Sequence, residues 1–225
     1  MIKKILLLSS VLLLAPASFL HADAIGTTAT YSLTFDGCSG SCGAGPFGTI
    51  TLVQTATGVV TVTETLAPGV AFVATGAGKS LEFSLFGDPA ITIGSLTSGF
   101  VSTGAASAST FGSFDYSVSC AGMQPNHCGP GGSNKNPGPL SFTVTDGAGV
   151  NVSNFVSNSG DYFFASDVAG VTGNTGNVAA GAGTTPPPPP PPASTPEPSS
   201  LVLFGTGLVA AAGVARRRMV SAFSK

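Results

Sequence analysis

Four cysteines, a histidine in the middle of the chain and a scatter of aspartates are the residues best suited to chemistry. The cysteines form two local sets, Cys38-x3-Cys42 and Cys120-x7-Cys128, each in a stretch rich in Gly, Ser, Pro and Asn. Such thiols serve either as metal ligands or as disulfides. The C-x-x-C spacing of structural zinc sites is absent, so disulfides are expected, with no metal and no cofactor. Four cysteines allow three connectivities. Proximity favours pairing within each set, whereas a bridge between the sets would constrain the unfolded chain more.

His127 has no G-x-S-x-G elbow to serve, so a Ser-His-Asp hydrolase lacks support and no catalytic residue is assigned. Asp36, Asp146, Asp161 and Asp167 show neither EF-hand spacing nor a recognisable acid pair, and a backbone-shaping role is expected. Gly43-Ala-Gly45-Pro-Phe-Gly48 fits G-x-G-x-x-G. It runs into the strand-like Thr49–Gln54, however, and a pyrophosphate needs a helix N-terminus. Gly76-Ala-Gly78-Lys79-Ser80 imitates the end of a P-loop, but Val73 stands where its first glycine belongs. Both are by-products of a chain with 31 glycines. Thr49-Ile-Thr51, Thr61-Val-Thr63 and Thr143-Val-Thr145 place threonine pairs on one strand face, as an ice-matching array would. They are irregularly separated in sequence, so the solvated face of ordinary strands is the expected reading.

Only 8% of the 225 residues are charged, and Lys plus Arg number eight, which excludes a broad basic surface for nucleic acid. Six of those eight lie near the ends, as Lys3, Lys4, Arg216, Arg217, Arg218 and Lys225. Between Ile25 and Thr185, Lys79 and Lys135 stand against eight carboxylates, a net of −6. That interior shows a two-residue period and no helical one. Ala29, Tyr31, Leu33 and Phe35 alternate with threonine and serine, as do Leu81, Phe83 and Leu85 with Ser80, Glu82 and Ser84. The same holds for Phe114 to Cys120 and Leu140 to Val144, and further strands are expected at 49–54, 58–66, 70–75, 90–93, 149–152 and 162–168. About ten short strands punctuated by turn signals predict an all-β antiparallel sandwich or jelly roll over residues 25–169. A Gly/Pro-rich linker is expected over 170–195.

The ends carry addresses. Residues 1–24 have the basic start, the apolar stretch and the Ala22-Asp23-Ala24 ending of a signal peptide, a substrate for signal peptidase. At the other end a proline run precedes Pro196-Glu197-Pro198 and the uncharged stretch 199–215. Its 17 residues span roughly 26 Å as a helix, short but sufficient for one transmembrane crossing. Arg216, Arg217 and Arg218 then act as stop-transfer residues, with a cytoplasmic tail at 219–225. This ordered set resembles a PEP-CTERM sorting tail. The resemblance implies recognition by an exosortase, an integral-membrane cysteine protease of Gram-negative bacteria. It also implies cleavage near Pro-Glu-Pro, and delivery to the cell surface or an exopolysaccharide matrix. On that basis a non-enzymatic surface protein acting in adhesion or biofilm structure is expected, held in the membrane by its C-terminal helix before processing. Exopolysaccharide is then a candidate partner. A carbohydrate-active hydrolase, or a carbohydrate- or ice-binding module on the same scaffold, is the alternative.

Overall fold

The computed structural model describes residues 23–75, 78–121, 128 and 134–181. Fifteen strands and one short 3-10 helix make up its regular structure. One sheet of five strands runs in the order β1 (Thr28–Leu33), β3 (Gly48–Ala56), β4 (Val59–Leu66), β12 (Leu140–Asp146), β7 (Ile91–Gly94). The other follows β2 (Phe35–Cys38), β15 (Thr175–Gly181), β14 (Tyr162–Ala169), β6 (Leu81–Leu85), β11 (Tyr116–Cys120), β8 (Phe100–Ser102). Two short strands, β5 (Ala71–Phe72) on β14 and β13 (Phe155–Val156) on β6, extend it. A hairpin of β9 (Ala106–Ala108) and β10 (Gly112–Phe114) stands apart from both sheets. Every strand pair is antiparallel, as the alternating pattern requires.

The sheets close on one apolar core. Ile50, Leu52, Val60, Val62, Phe142 and Val144 from the first meet Leu81, Phe83, Val118, Phe164 and Val178 from the second. The ring of Phe83 stacks on Phe142 with centroids 5.8 Å apart and also touches Tyr116 and Phe155, at 5.4 and 5.6 Å. Burying one such phenyl ring stabilises the fold by roughly 1.5–3 kcal/mol, so this cluster is a main source of cohesion between the sheets.

Several boundaries differ from those the sequence suggests. The segment 28–35 looks like one strand, but the chain changes sheets at Thr34, whose amide donates to Ala179 O at 2.9 Å. Phe35 consequently leaves the core and is 41% exposed. The run Phe114 to Cys120 is interrupted at Asp115, so Phe114 joins a separate cluster while Tyr116 and Val118 enter the main core. The strand expected at 149–152 does not form: the segment leads irregularly into the 3-10 helix Val152–Asn154, with Asn151 capping it, and the expected strand at 70–75 shrinks to β5.

The boundary at 169 is also corrected. Residues 170–181 are the second half of a hairpin, and β15 sits between β14 and β2 with Val178, Ala179 and Ala180 fully buried. The glycine-rich composition there conceals a strand because small side chains are needed under close cover. The expected signal peptide up to residue 22 and His127 lie outside the described residues, as do the expected linker from 182, Pro196-Glu197-Pro198, the segment 199–215, the arginines and the residues after them. No helix among the described residues is long and apolar enough to cross a membrane.

Candidate functional site

Both cysteine sets pair locally, as Cys38–Cys42 and Cys120–Cys128. Asp36 organises the first loop. Its carboxylate accepts the amides of Cys38 and Cys42, both at 2.9 Å, and the Ser41 hydroxyl at 2.6 Å. Slight burial raises the Asp36 carboxyl, but these three donors outweigh it and hold the group below its ordinary 3.8. Asp36, Cys38 and Cys42 converge like a metal site, yet both sulfurs are spent in the disulfide, and a metal needs thiolates. The loop is instead fastened to the β14–β15 turn. Asn174 donates to Gly40 O and Ser41 O at 2.8 and 2.9 Å, and Thr172 donates to Ser41 O at 2.7 Å.

The outer face of the five-stranded sheet is lined by hydroxyls. The three Thr-x-Thr segments fall on β3, β4 and β12, which are adjacent. Their register aligns Thr30, Thr51, Thr63 and Ser141 in one row across four strands, and Thr61 with Thr143 in the next. Neighbouring hydroxyls touch, Thr63 with Ser141 at 3.0 Å and Thr55 with Thr61 at 3.1 Å. Strand spacing sets such rows about 4.8 Å apart across the sheet and about 6.8 Å along it. No charged residue points outward from these strands. Irregular spacing in sequence hid the array, because the strands that carry it are brought together from positions 49 to 145.

The second sheet is treated oppositely. Its outer face is sealed by the β9–β10 hairpin, whose Ala108, Phe111 and Phe114 pack on Ala165 and Ala179. Gly37 makes room for this lid, since a Cβ there would stand 2.9 Å from the Phe111 ring. Beneath the cover lie Glu82 and Asp167, both with no exposed surface. Asp167 accepts from the Thr75 amide at 2.5 Å and the Thr75 hydroxyl at 2.6 Å; Glu82 Oε1 accepts from the Lys79 amide at 3.1 Å. Burial pushes Glu82 up to about 7, opposed by the Lys79 amide and ammonium and reinforced by the Asp167 charge. Burial likewise raises Asp167 above its ordinary 3.8.

Glu64 occupies a third environment, inside the sandwich. It follows Val60 and Val62 on the core-facing side of β4, is fully buried, and has no hydrogen-bond partner for either carboxyl oxygen. Burial holds it well above the carboxylate range, with the Ser166 hydroxyl of the opposing sheet the one lowering influence. Ser166 gives its proton to Ser80 O at 2.7 Å, so its lone pairs suit a protonated Glu64 better than a carboxylate.

An open groove of about 410 Å³ lies at the turn end of the sandwich, lined by residues including Gln54, Phe86, Pro89, Asp146, Asn151 and Asn154. Asp146 is its only acid, and that carboxylate already accepts the amides of Ala148 and Gly149. The buried acids therefore sit apart from the groove: Glu64 within the core, Glu82 and Asp167 under the hairpin. Sequence reasoning gave Asp167 only a backbone-shaping role and singled out neither Glu64 nor Glu82, since alternation in β6 predicts Glu82 on a wet face.

Residues 194–218 match the family model of the PEP-CTERM protein-sorting motif. That segment contains Pro196, Glu197, Pro198 and Arg216, Arg217, Arg218. The chain thus carries an exosortase-type sorting signal, which supports export and membrane-associated sorting toward the cell surface. No curated protein and no solved structure matches the chain.

Proposed function

We propose that this is a non-enzymatic exported protein that displays a disulfide-tied β-sandwich in an extracellular polysaccharide matrix. The observation that carries the reading is the sorting motif at 194–218 joined to a β-sandwich domain. Signal peptidase removes the leader, and an exosortase of a Gram-negative host cuts near Pro196-Glu197-Pro198. The finer role, adhesion to neutral glycan, is supported by the uncharged threonine and serine face of the five-stranded sheet. Hydroxyl rows offer donors and acceptors to a polyhydroxylated chain at no cost of desolvating charge. The hydrolase alternative needs two acids facing one groove, and the groove among the described residues offers Asp146 alone.

Intact mass and cell fractionation of the native protein in its host test the sorting step. The expected species lacks the residues beyond about 196 and is found in the surface matrix. A full-length C-terminus retained in the inner membrane overturns it and leaves a simple membrane anchor.

A further inference from the structure

Under the β9–β10 hairpin, three oxygen-bearing side chains from three adjacent strands share one sheet face. Asp167 and Asn177 are directly opposed between β14 and β15, and Glu82 pairs with Ala165 two residues from Asp167. Directly opposed side chains begin about 5 Å apart and diagonal ones about 7–8 Å, which sets Asp167 between the other two. Asn177 is 5% exposed and its Oδ1 has no hydrogen-bond partner, while the Glu82 carboxyl is acted on by the Lys79 and Ala108 amides. Asn177 Oδ1 is directed to the Asp167 side. The point where a Gly78 Cβ would stand lies 2.5 Å from that oxygen and 3.0 Å from Asp167 Cγ. Thr75 supplies a further oxygen, its hydroxyl 2.6 Å from Asp167 Oδ1. Two buried acids beside an unpaired amide oxygen form an arrangement that a cation stabilises.

We propose that Glu82, Asp167 and Asn177, flanked by Thr75, form a binding site for a divalent cation of the calcium type. Two carboxylates match its charge. A set of hard oxygens from side chains of different strands suits the adaptable coordination of calcium better than the strict octahedron of magnesium. The Lys79 ammonium is the one basic group acting on Glu82 and limits affinity, which places the site with the millimolar sites of extracellular modules.

Thermal unfolding of the full-length protein in detergent at pH 8, after chelation with EDTA, tests the site. Calcium chloride is expected to raise the midpoint with half-effect at about 0.1–1 mM, and magnesium chloride to raise it far less. Asp167→Asn abolishes the response, while Asp161→Asn in an exposed turn keeps it. Asn177→Asp provides the sharper arm. An added carboxylate tightens a true site about tenfold or more in calorimetric calcium titration. In a plain acidic cluster it only adds repulsion. A wild-type midpoint indifferent to about 10 mM calcium overturns the proposal. So does a folded Asn177→Asp protein that binds calcium no better than wild type.

Discussion

In β4, Thr61, Thr63 and Thr65 alternate with Val60, Val62 and Glu64, and the threonines stand at the surface. In β6, Glu82 and Ser84 alternate with Leu81, Phe83 and Leu85 in the same way, yet all five residues are buried. The two strands differ in what lies over them. Nothing among the described residues covers the threonine face, whereas the hairpin at 106–114 covers β6 and β14. One sheet therefore keeps a solvated face suited to a matrix contact. The other carries a second, smaller core that traps two carboxyls. Glu64 is the complementary oddity, a polar residue in phase with the apolar side of its strand.

The contrast can be broken most forcefully at the lid. Phe114 is almost fully buried in the small cluster, so Phe114→Ala is expected to cost about 3–5 kcal/mol in urea unfolding. A cost under about 1 kcal/mol would mean that the hairpin does not seal the sheet.

A smaller effect comes from the trapped acids. A carboxyl whose folded pKa exceeds its unfolded one gives stability that is fully present below the unfolded value and fades as pH rises through the folded one. For Glu82 the window runs from its ordinary 4.5 to about 7. Glu64, raised by its burial in the core, adds to the loss in the same direction. Unfolding midpoints measured in EDTA should thus fall from pH 4.5 upward. Glu82→Gln should reduce the slope between about pH 4.5 and 7, and Glu64→Gln should also reduce the loss on raising the pH. A flat profile would place both groups in contact with water.

The smallest stability effect belongs to the open face. Thr51→Ala and Thr63→Ala should stay within about 0.5 kcal/mol of the parent. Thr63→Lys should also fold normally, but it sets a charge in the row Thr51–Thr63–Ser141 and is expected to reduce retention on the host's isolated exopolysaccharide. Unchanged retention would move the glycan contact elsewhere.

Much of the fold was legible. The alternation in β3, β4 and β12 specified strands with one apolar side, and those strands form as expected. Alternation failed where the chain changes layers. At Thr34 and Asp115 the period runs on through a break, because a two-residue pattern is blind to which sheet receives the next residue. β15 was missed for another reason: Gly176, Val178, Ala179 and Ala180 look like linker composition, but small residues are what fits beneath Cys38 and the hairpin. Of the candidate sites, the sorting motif could be read directly because its residues are close in sequence, whereas the four cysteines were legible as disulfides but their local pairing was decided by the structure.

By itself the sequence determined the all-β class, the address at 194–218 and the two-faced character of the alternating strands. Which of two polar faces would meet water was decided only by tertiary structure. Alternation defines two sides of a strand, but burial depends on what the rest of the chain lays over each side. For Thr63 that is solvent, and for Glu82 it is a lid built from residues some 25–30 positions further along.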